Sequence, residues 1–327
     1  MSVRPFQLSK PRSVAEAVRI LDRDSGATAI AGGTDLITLL RDGIATPSRL
    51  VDLGGLGLDR VEWLPDGTVR IGALCRNAID DPRLRAEFPV VTQALRAGAS
   101  PQIRNMATFG GNLLQRVRCT YFRLPEFDCN RRAPGSGCAS AEGDGARQAI
   151  FGASPACVAV HPSDLAVALQ AMEAVVLVEG PAGRRRIPLD EFHLLPAGTP
   201  ERETALRRAE LITAIEIPRR PFGRTSHYLK FRDRASFAFA LVSAAVAVEI
   251  SDGLVRTARI ALGGVAAKPW RCPAAERALS GQRFDAAAIA LAADAAVEGA
   301  TPRPDNTYKV ELARRVVRRA LTELGQR

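Results

Sequence analysis

Apolar and polar positions along this chain switch repeatedly between a helical and a strand period, and the switches outline its elements. Residues 13–24, SVAEAVRILDRD, carry apolar side chains at helical spacing behind Ser13, whose hydroxyl suits an N-cap. Residues 27–33, ATAIAGG, form a short apolar strand ending in two glycines. LITLLRDG then predicts a helix stopped at Gly43, and SRLVDLGGL a second strand with a turn behind it. TVRIGALC follows the turn signal PDG as another strand. DDPRLRAEFPVVTQALRAGAS is mostly helical, entered at Asp80 or Asp81 with Pro82 in the first turn. Helix and strand signals interleave, which predicts a mixed α and β architecture.

Regular spacing disappears from Gln115 to about Gly152, where Arg, Gly, Pro and Cys accumulate; a structureless stretch of that length inside a domain is usually functional or disordered. It returns with SDLAVALQAMEA, a helix behind Ser163, and with VVLVEG and RRRIPL, a strand pair across the turn PAG. LITAIEIPRRP leads into a second region. That region holds the strand YLKFRDR, the apolar run FAFALVSAAVAVEI that fits helix or strand, the turn SDG, the strand LVRTARIALGGV and two alanine-rich helices. The Pro/Arg/Gly-rich segment Pro218–Arg224 reads as a boundary, and 327 residues exceed the size at which one core keeps growing. Two domains are therefore expected, 1–220 and 221–327, with an insertion at about 115–160 in the first.

Composition adds limits. Hydrophobic residues make up 46% and charged residues 24%, ordinary values for a soluble folded protein. The first residues are charged throughout, and no run of about 18 apolar residues occurs, so neither a signal peptide nor a membrane span is expected. The net charge of +10 raises nucleic acid as a partner, but the arginines are dispersed and Tyr and Trp are too few to interleave a stacking platform.

Two glycine clusters stand where the chain passes between elements: Ala31-Gly32-Gly33-Thr34-Asp35-Leu36 and Ala107-Thr108-Phe109-Gly110-Gly111-Asn112. Small residues there let backbone N–H groups approach an anion, and two such loops could hold one pyrophosphate, although a Gly-Gly pair alone is commonly only a turn. Neither of the two commonest phosphate-binding signatures, G-x-G-x-x-G and G-x-x-x-x-G-K-[ST], is present.

Of six cysteines, Cys75 and Cys272 sit in apolar or turn contexts that suit buried thiols. Cys119, Cys129, Cys138 and Cys157 lie together in the aperiodic stretch. Disulfides suit small secreted scaffolds, zinc sites usually build on C-x-x-C pairs that are absent here, and an iron–sulfur cluster tolerates the wide spacing. Arg116, Arg118, Arg123, Arg131 and Arg132, against only Glu126 and Asp128, offer compensation for a negative cluster. On spacing and charge the three chemistries remain open.

The paired glycine loops resemble the flavin-binding domain of vanillyl-alcohol-oxidase-type flavoproteins and, more closely, the FAD subunits of xanthine dehydrogenase, carbon monoxide dehydrogenase and related molybdenum hydroxylases. The resemblance runs end to end, through HPSDLAVAL, LITAIEIP and YLKFRDRASFAFALVSAAVAV. It implies an α+β fold, a two-lobed FAD-binding domain followed by a C-terminal domain with a small antiparallel sheet and helices. The implied FAD contacts are Ala31, Gly32, Gly33, Thr34, Asp35 and Leu36, then Ala107, Thr108, Gly111 and Asn112, with Asp164, Leu211, Ile212 and Lys230. Read without the resemblance, Asp164 is a helix first-turn carboxylate and Lys230 a solvated strand charge. GGNLLQRVRCTYFR…CNRRAPGSGCAS…FGASPACVAVHPSDLAVAL resembles the bacterial aldehyde oxidoreductase branch, which implies a 4Fe–4S cluster on Cys119, Cys129, Cys138 and Cys157.

The implied role is electron transfer in an oxidoreductase. A large subunit oxidises an aldehyde at a molybdenum cofactor, a 2Fe–2S subunit passes the electrons to FAD here, and an external acceptor takes them, in a heterotrimer or its dimer without nucleic acid or membrane. No residue is assigned a catalytic role, and His161, His193 and His227 read as ordinary core or surface histidines. The implied compartment is the periplasm, reached with an exported partner, or the cytoplasm. Alternatives are a 4-hydroxybenzoyl-CoA-reductase-like flavin subunit, a stand-alone flavoprotein oxidase, and a zinc-stabilised nucleotide-binding module. The aldehyde and the acceptor are not legible in this chain.

Overall fold

A computed structural model describes residues 3–326 and contains three sheets. The first is parallel, in the order β1-β3-β2: β1 (Gln7–Ser9), β2 (Ala27–Ile30) and β3 (Arg49–Asp52). Parallel neighbours need crossovers, and the helices Val14–Arg23 and Leu36–Arg41 supply them. Ser13 caps the first: its Oγ accepts from the Glu16 N–H at 3.2 Å, while Glu16 accepts from the Arg12 N–H at 2.8 Å. Ala17, Val18 and Leu21 face the sheet and pack with Val51, Leu53, Leu74 and Leu211.

The second sheet is antiparallel, ordered β4-β5-β8-β6-β7, from β4 (Val61–Trp63), β5 (Val69–Gly72), β6 (Val175–Gly180), β7 (Gly183–Pro188) and β8 (Leu211–Ile217). Between β5 and β6 the expected long helical stretch is divided into Pro82–Glu87 and Pro89–Ala97, and a further helix, Pro101–Met106, follows it behind Ser100. The break at Phe88 follows from Pro89, because a residue before proline is disfavoured in the helical region; Phe88 sits at φ −139°, ψ 62°.

The third sheet, ordered β12-β11-β10-β9, is also antiparallel: β9 (Ser226–Phe231), β10 (Val242–Ser251), β11 (Leu254–Gly263) and β12 (Trp270–Arg271). The run that fitted helix or strand is β10 from Val242 onward, and its first residues, 237–241, belong to the loop before the strand. Its period was hidden because both faces are buried: Ala245 and Ala247 enter one core, while Val242, Ala244, Val246 and Val248 enter another. Three helices follow rather than two: Pro273–Leu279, Ala286–Ala295 and the Arg-rich Tyr308–Gly325. Helix Asp164–Ala171 is buried at every position and packs with both antiparallel sheets, which is why its sequence shows almost no polar face. Lys309 is wholly buried and donates to the carbonyls of Arg147, Gln148 and Gly264, tying the terminal helix to the exit of the cysteine-rich stretch. Among the described residues no helix is long and apolar enough to cross a membrane.

Candidate functional site

A cleft of about 640 Å³ opens where the parallel sheet, the helices behind β5 and the edge of the third sheet meet. All fourteen residues expected to contact a cofactor line it: Ala31–Leu36, Ala107, Thr108, Gly111, Asn112, Asp164, Leu211, Ile212 and Lys230. The two glycine loops, far apart in sequence, touch backbone to backbone. A Cβ on Gly32 would lie 1.9 Å from the Met106 carbonyl oxygen, so no side chain fits there. Gly33 turns the chain at φ +70°, a conformation that favours glycine.

The second loop is anchored to the end of β5 by Phe109 N–H to the Cys75 carbonyl at 2.9 Å and Gly110 N–H to the Ala73 carbonyl at 2.8 Å. Thr108 caps the short helix Phe109–Leu113, accepting from the Gly111 N–H at 3.2 Å. Asn112 Oδ1 accepts from Ser163 Oγ at 2.6 Å and from Gln115 Nε2 at 3.0 Å, so the loop is also held to the buried central helix.

Asp164 and Lys230 are a buried ion pair at 2.7 Å, with Tyr228 donating to the other carboxylate oxygen at 2.5 Å. Burial beside Asp164 pushes the Tyr228 hydroxyl well above its ordinary range, so it stays protonated as the donor. Asp164 does stand in the first turn of its helix, but it is also bonded across elements, and Lys230 is not a solvated strand charge. Asp35 differs from its neighbours. Its carboxylate is occupied by the Arg116 N–H, Arg118 and Arg123, each at 2.8 Å, and so ties the first glycine loop to the aperiodic stretch.

Sequence reasoning missed several cleft residues. Asn77 lines the cleft, is buried, and has no hydrogen-bond partner at Oδ1, which leaves an acceptor for a bound group. Phe237 and Phe239 reach the cleft from the β9–β10 loop, and Phe237 holds a left-handed φ of +52° with its carbonyl gripped by Arg234. The pairing of β9 with β10, which locates that loop, is invisible in a run that looks continuous.

The four loop cysteines, Cys119, Cys129, Cys138 and Cys157, line one small void next to the cleft, and none of the six cysteines is in a disulfide. Cys129 and Cys138 face one another across an antiparallel bridge. Burial pushes the Cys119 and Cys138 thiols up, with the nearby Cys157 sulfur adding to both. Among the described residues no group of three or more His, Cys, Asp or Glu side chains is arranged to hold a metal ion.

The arginines expected to compensate this site do so only in part, because most are drawn to other acceptors. Arg118 and Arg123 pair with Asp35, and Arg116 pairs with Glu203. Arg132 is surrounded by the carbonyls of Tyr121, Phe122, Leu124, Pro125 and Phe127. Arg131 touches sulfur: its Nε donates to Cys157 Sγ at 3.1 Å.

His161 and His193, 32 positions apart, pack ring against ring with centroids 4.2 Å apart and planes tilted by 49°. His193 Nε2 lies 3.0 Å from the Leu113 carbonyl oxygen. Burial drives His161 well below its ordinary range and His193 down to about 4, so both are neutral core histidines. His227 sits between Gln93 and Glu323, at 2.8 and 2.9 Å.

Residues 4–220 match the family described as the FAD-binding domain in molybdopterin dehydrogenase, and residues 226–324 the carbon monoxide dehydrogenase flavoprotein C-terminal domain. The aldehyde oxidoreductase FAD-binding subunit PaoB of Escherichia coli K12 is 46% identical over 324 residues, 98% of each chain. The carbon monoxide dehydrogenase medium chain of Hydrogenophaga pseudoflava is 30% identical, covering 97% of this chain and 96% of that one. In the solved carbon monoxide dehydrogenase of the same organism, lacking the Mo-pyranopterin moiety of its cofactor, one chain superposes with a TM-score of 0.78 at 29% identity, covering 100% of this chain and 99% of its own.

Proposed function

This chain belongs to the FAD-binding medium subunits of the molybdenum hydroxylases, and from that premise we propose that it carries electrons through FAD and a 4Fe–4S cluster in a molybdenum-dependent aldehyde oxidoreductase. The observation that carries the proposal is the convergence of both glycine loops on one cleft beside a void lined by four thiols. The cleft fits FAD: Gly32 admits close backbone approach, Asn77 Oδ1 offers an open acceptor, and Leu211 and Ile212 give an apolar wall.

FAD, when bound, supplies the ability to accept and release electrons one or two at a time. The two glycine loops, through Ala31–Leu36, Ala107, Thr108, Gly111 and Asn112, would hold its phosphates and linking chain. Asp164 and Lys230 would orient it with a buried charge pair, and Phe237 and Phe239, half-exposed at the cleft wall, would cover it. No residue of the chain is required to act as an acid or nucleophile.

The donor set of the void, four thiols and one guanidinium, fits an iron–sulfur cluster in its chemistry. The four thiols line one void without a C-x-x-C pair, the spacing that structural zinc sites usually use. The partners proposed are a molybdenum-binding large subunit and a 2Fe–2S small subunit that feeds electrons to this chain, in a heterotrimer or its dimer. Their compartment is proposed to be the periplasm, which fractionation of the native host would test.

Isolation with co-purifying subunits, followed by flavin, iron, zinc and molybdenum analysis, tests the whole reading. About one FAD and about four irons per copy of this chain are expected, with molybdenum in the complex. Colourless protein carrying zinc would sink it.

A further inference from the structure

We propose that Arg131 is a positioning residue for the sulfur of Cys157, and that the line Cys157–Arg131–Glu203 sets the redox potential of the iron–sulfur cluster; this rests on the cluster reading above. Arg131 is 5% exposed. Its Nε points at Cys157 Sγ from 3.1 Å, and Nη1 lies 3.3 Å from Glu203 Oε1. Glu203 also pairs with Arg116, which lines the flavin cleft, so the line ends at the cleft wall.

A guanidinium stays charged in a protein, and burying it is costly unless its donors meet anions or strong acceptors. A neutral thiol is a weak acceptor, whereas a metal-bound thiolate is an anion that matches a buried N–H donor. The geometry at Cys157 is therefore that of a site built for a thiolate. Cys157 also accepts from the Ala159 N–H at 3.5 Å, while Cys119 has the neutral Gln148 amide at 3.7 Å. Charge-assisted donation to a ligand sulfur favours the reduced, more negative cluster and raises its potential. Glu203 opposes this by neutralising the guanidinium.

The test is redox titration of the cluster's paramagnetic resonance signal in the isolated holo-complex, with iron and flavin counted for every variant. Arg131→Gln is expected to lower the midpoint potential, Glu203→Gln to raise it, and Arg131→Lys to fall between Arg131→Gln and wild type. Opposite shifts are what a merely structural role would not produce. Full iron with unchanged potentials, or shifts of the same sign in the two Gln variants, overturns the proposal. If Arg131→Gln loses its iron, Glu203→Gln decides, and an unshifted potential there overturns it. Wild-type protein without iron overturns the cluster reading itself and this proposal with it, a result recognisable before any variant is made.

Discussion

Lys230 donates to the Asp164 carboxylate at 2.7 Å, joining a strand of the third sheet to the first turn of the central buried helix on the wall of the cleft. The side chains are only 3% and 9% exposed, so neither charge has water as a substitute partner. Asp164→Asn leaves the ammonium with the Ala97 carbonyl at 3.2 Å but no counter-charge, and removing one member of a buried pair costs about 3–5 kcal/mol. A markedly lower thermal midpoint and loss of FAD on gel filtration are expected. Adding Lys230→Met to Asp164→Asn should restore much of the midpoint but not the flavin. A single variant as stable as wild type would show that water or another group takes over the pairing.

Gly32 and Met106 make the contact on which the two glycine loops depend. Gly32→Ala places a Cβ against the Met106 carbonyl, and backbone must move to admit it. The expected result is protein that folds, by circular dichroism, with FAD affinity reduced by at least about tenfold, equivalent to about 1.4 kcal/mol. Gly55→Ala, where a Cβ meets open space, is the control and should bind as wild type does. Equal affinities for the two variants would remove the close approach from the account.

Serine at Cys119, Cys129, Cys138 or Cys157 is expected to cut iron per chain, since each lines the void. Cys75 is different. Its thiol is pushed up to about 11 by burial and donates to the Asp59 carbonyl at 3.0 Å, a bond serine can keep, so Cys75→Ser should retain full iron. Turnover of the assembled Cys129→Ser complex then separates a structural cluster from one on the electron path: intact assembly with unaffected turnover excludes an obligatory electron role.

His161 and His193 bind protons less readily in the folded chain than in the unfolded one, where the value is near 6.5. Unfolding therefore takes up protons below that pH, and the stability these residues allow is present above about 6.5 and lost as pH falls toward about 4. Urea midpoints measured between pH 7.5 and 4.5 should decline, and His193→Gln should flatten the decline. A wild-type profile that is level across this window would falsify the assignment.

Much of the fold was legible. Ser13, Ser163 and Asp81 mark helix starts through local chemistry, and each side chain caps as expected. Where the reading departed from the structure, one cause is local and one is not: Phe88 breaks a helix because Pro89 follows it, whereas β10 hides its period because it separates two cores.

The sequence alone determined the material of the site: two small-residue loops able to approach a ligand closely, an acidic helix start at Asp164, and four cysteines in a stretch without regular periodicity. Those properties are local and survive in one dimension. Tertiary structure decided how they are used. Placing Gly32 against Met106, Lys230 against Asp164, and Arg131, rather than its four arginine neighbours, against a sulfur depends on which elements pack together. Charge partners are chosen by proximity and burial, so a buried guanidinium takes the strongest acceptor within reach, and no spacing along the chain records which one that is.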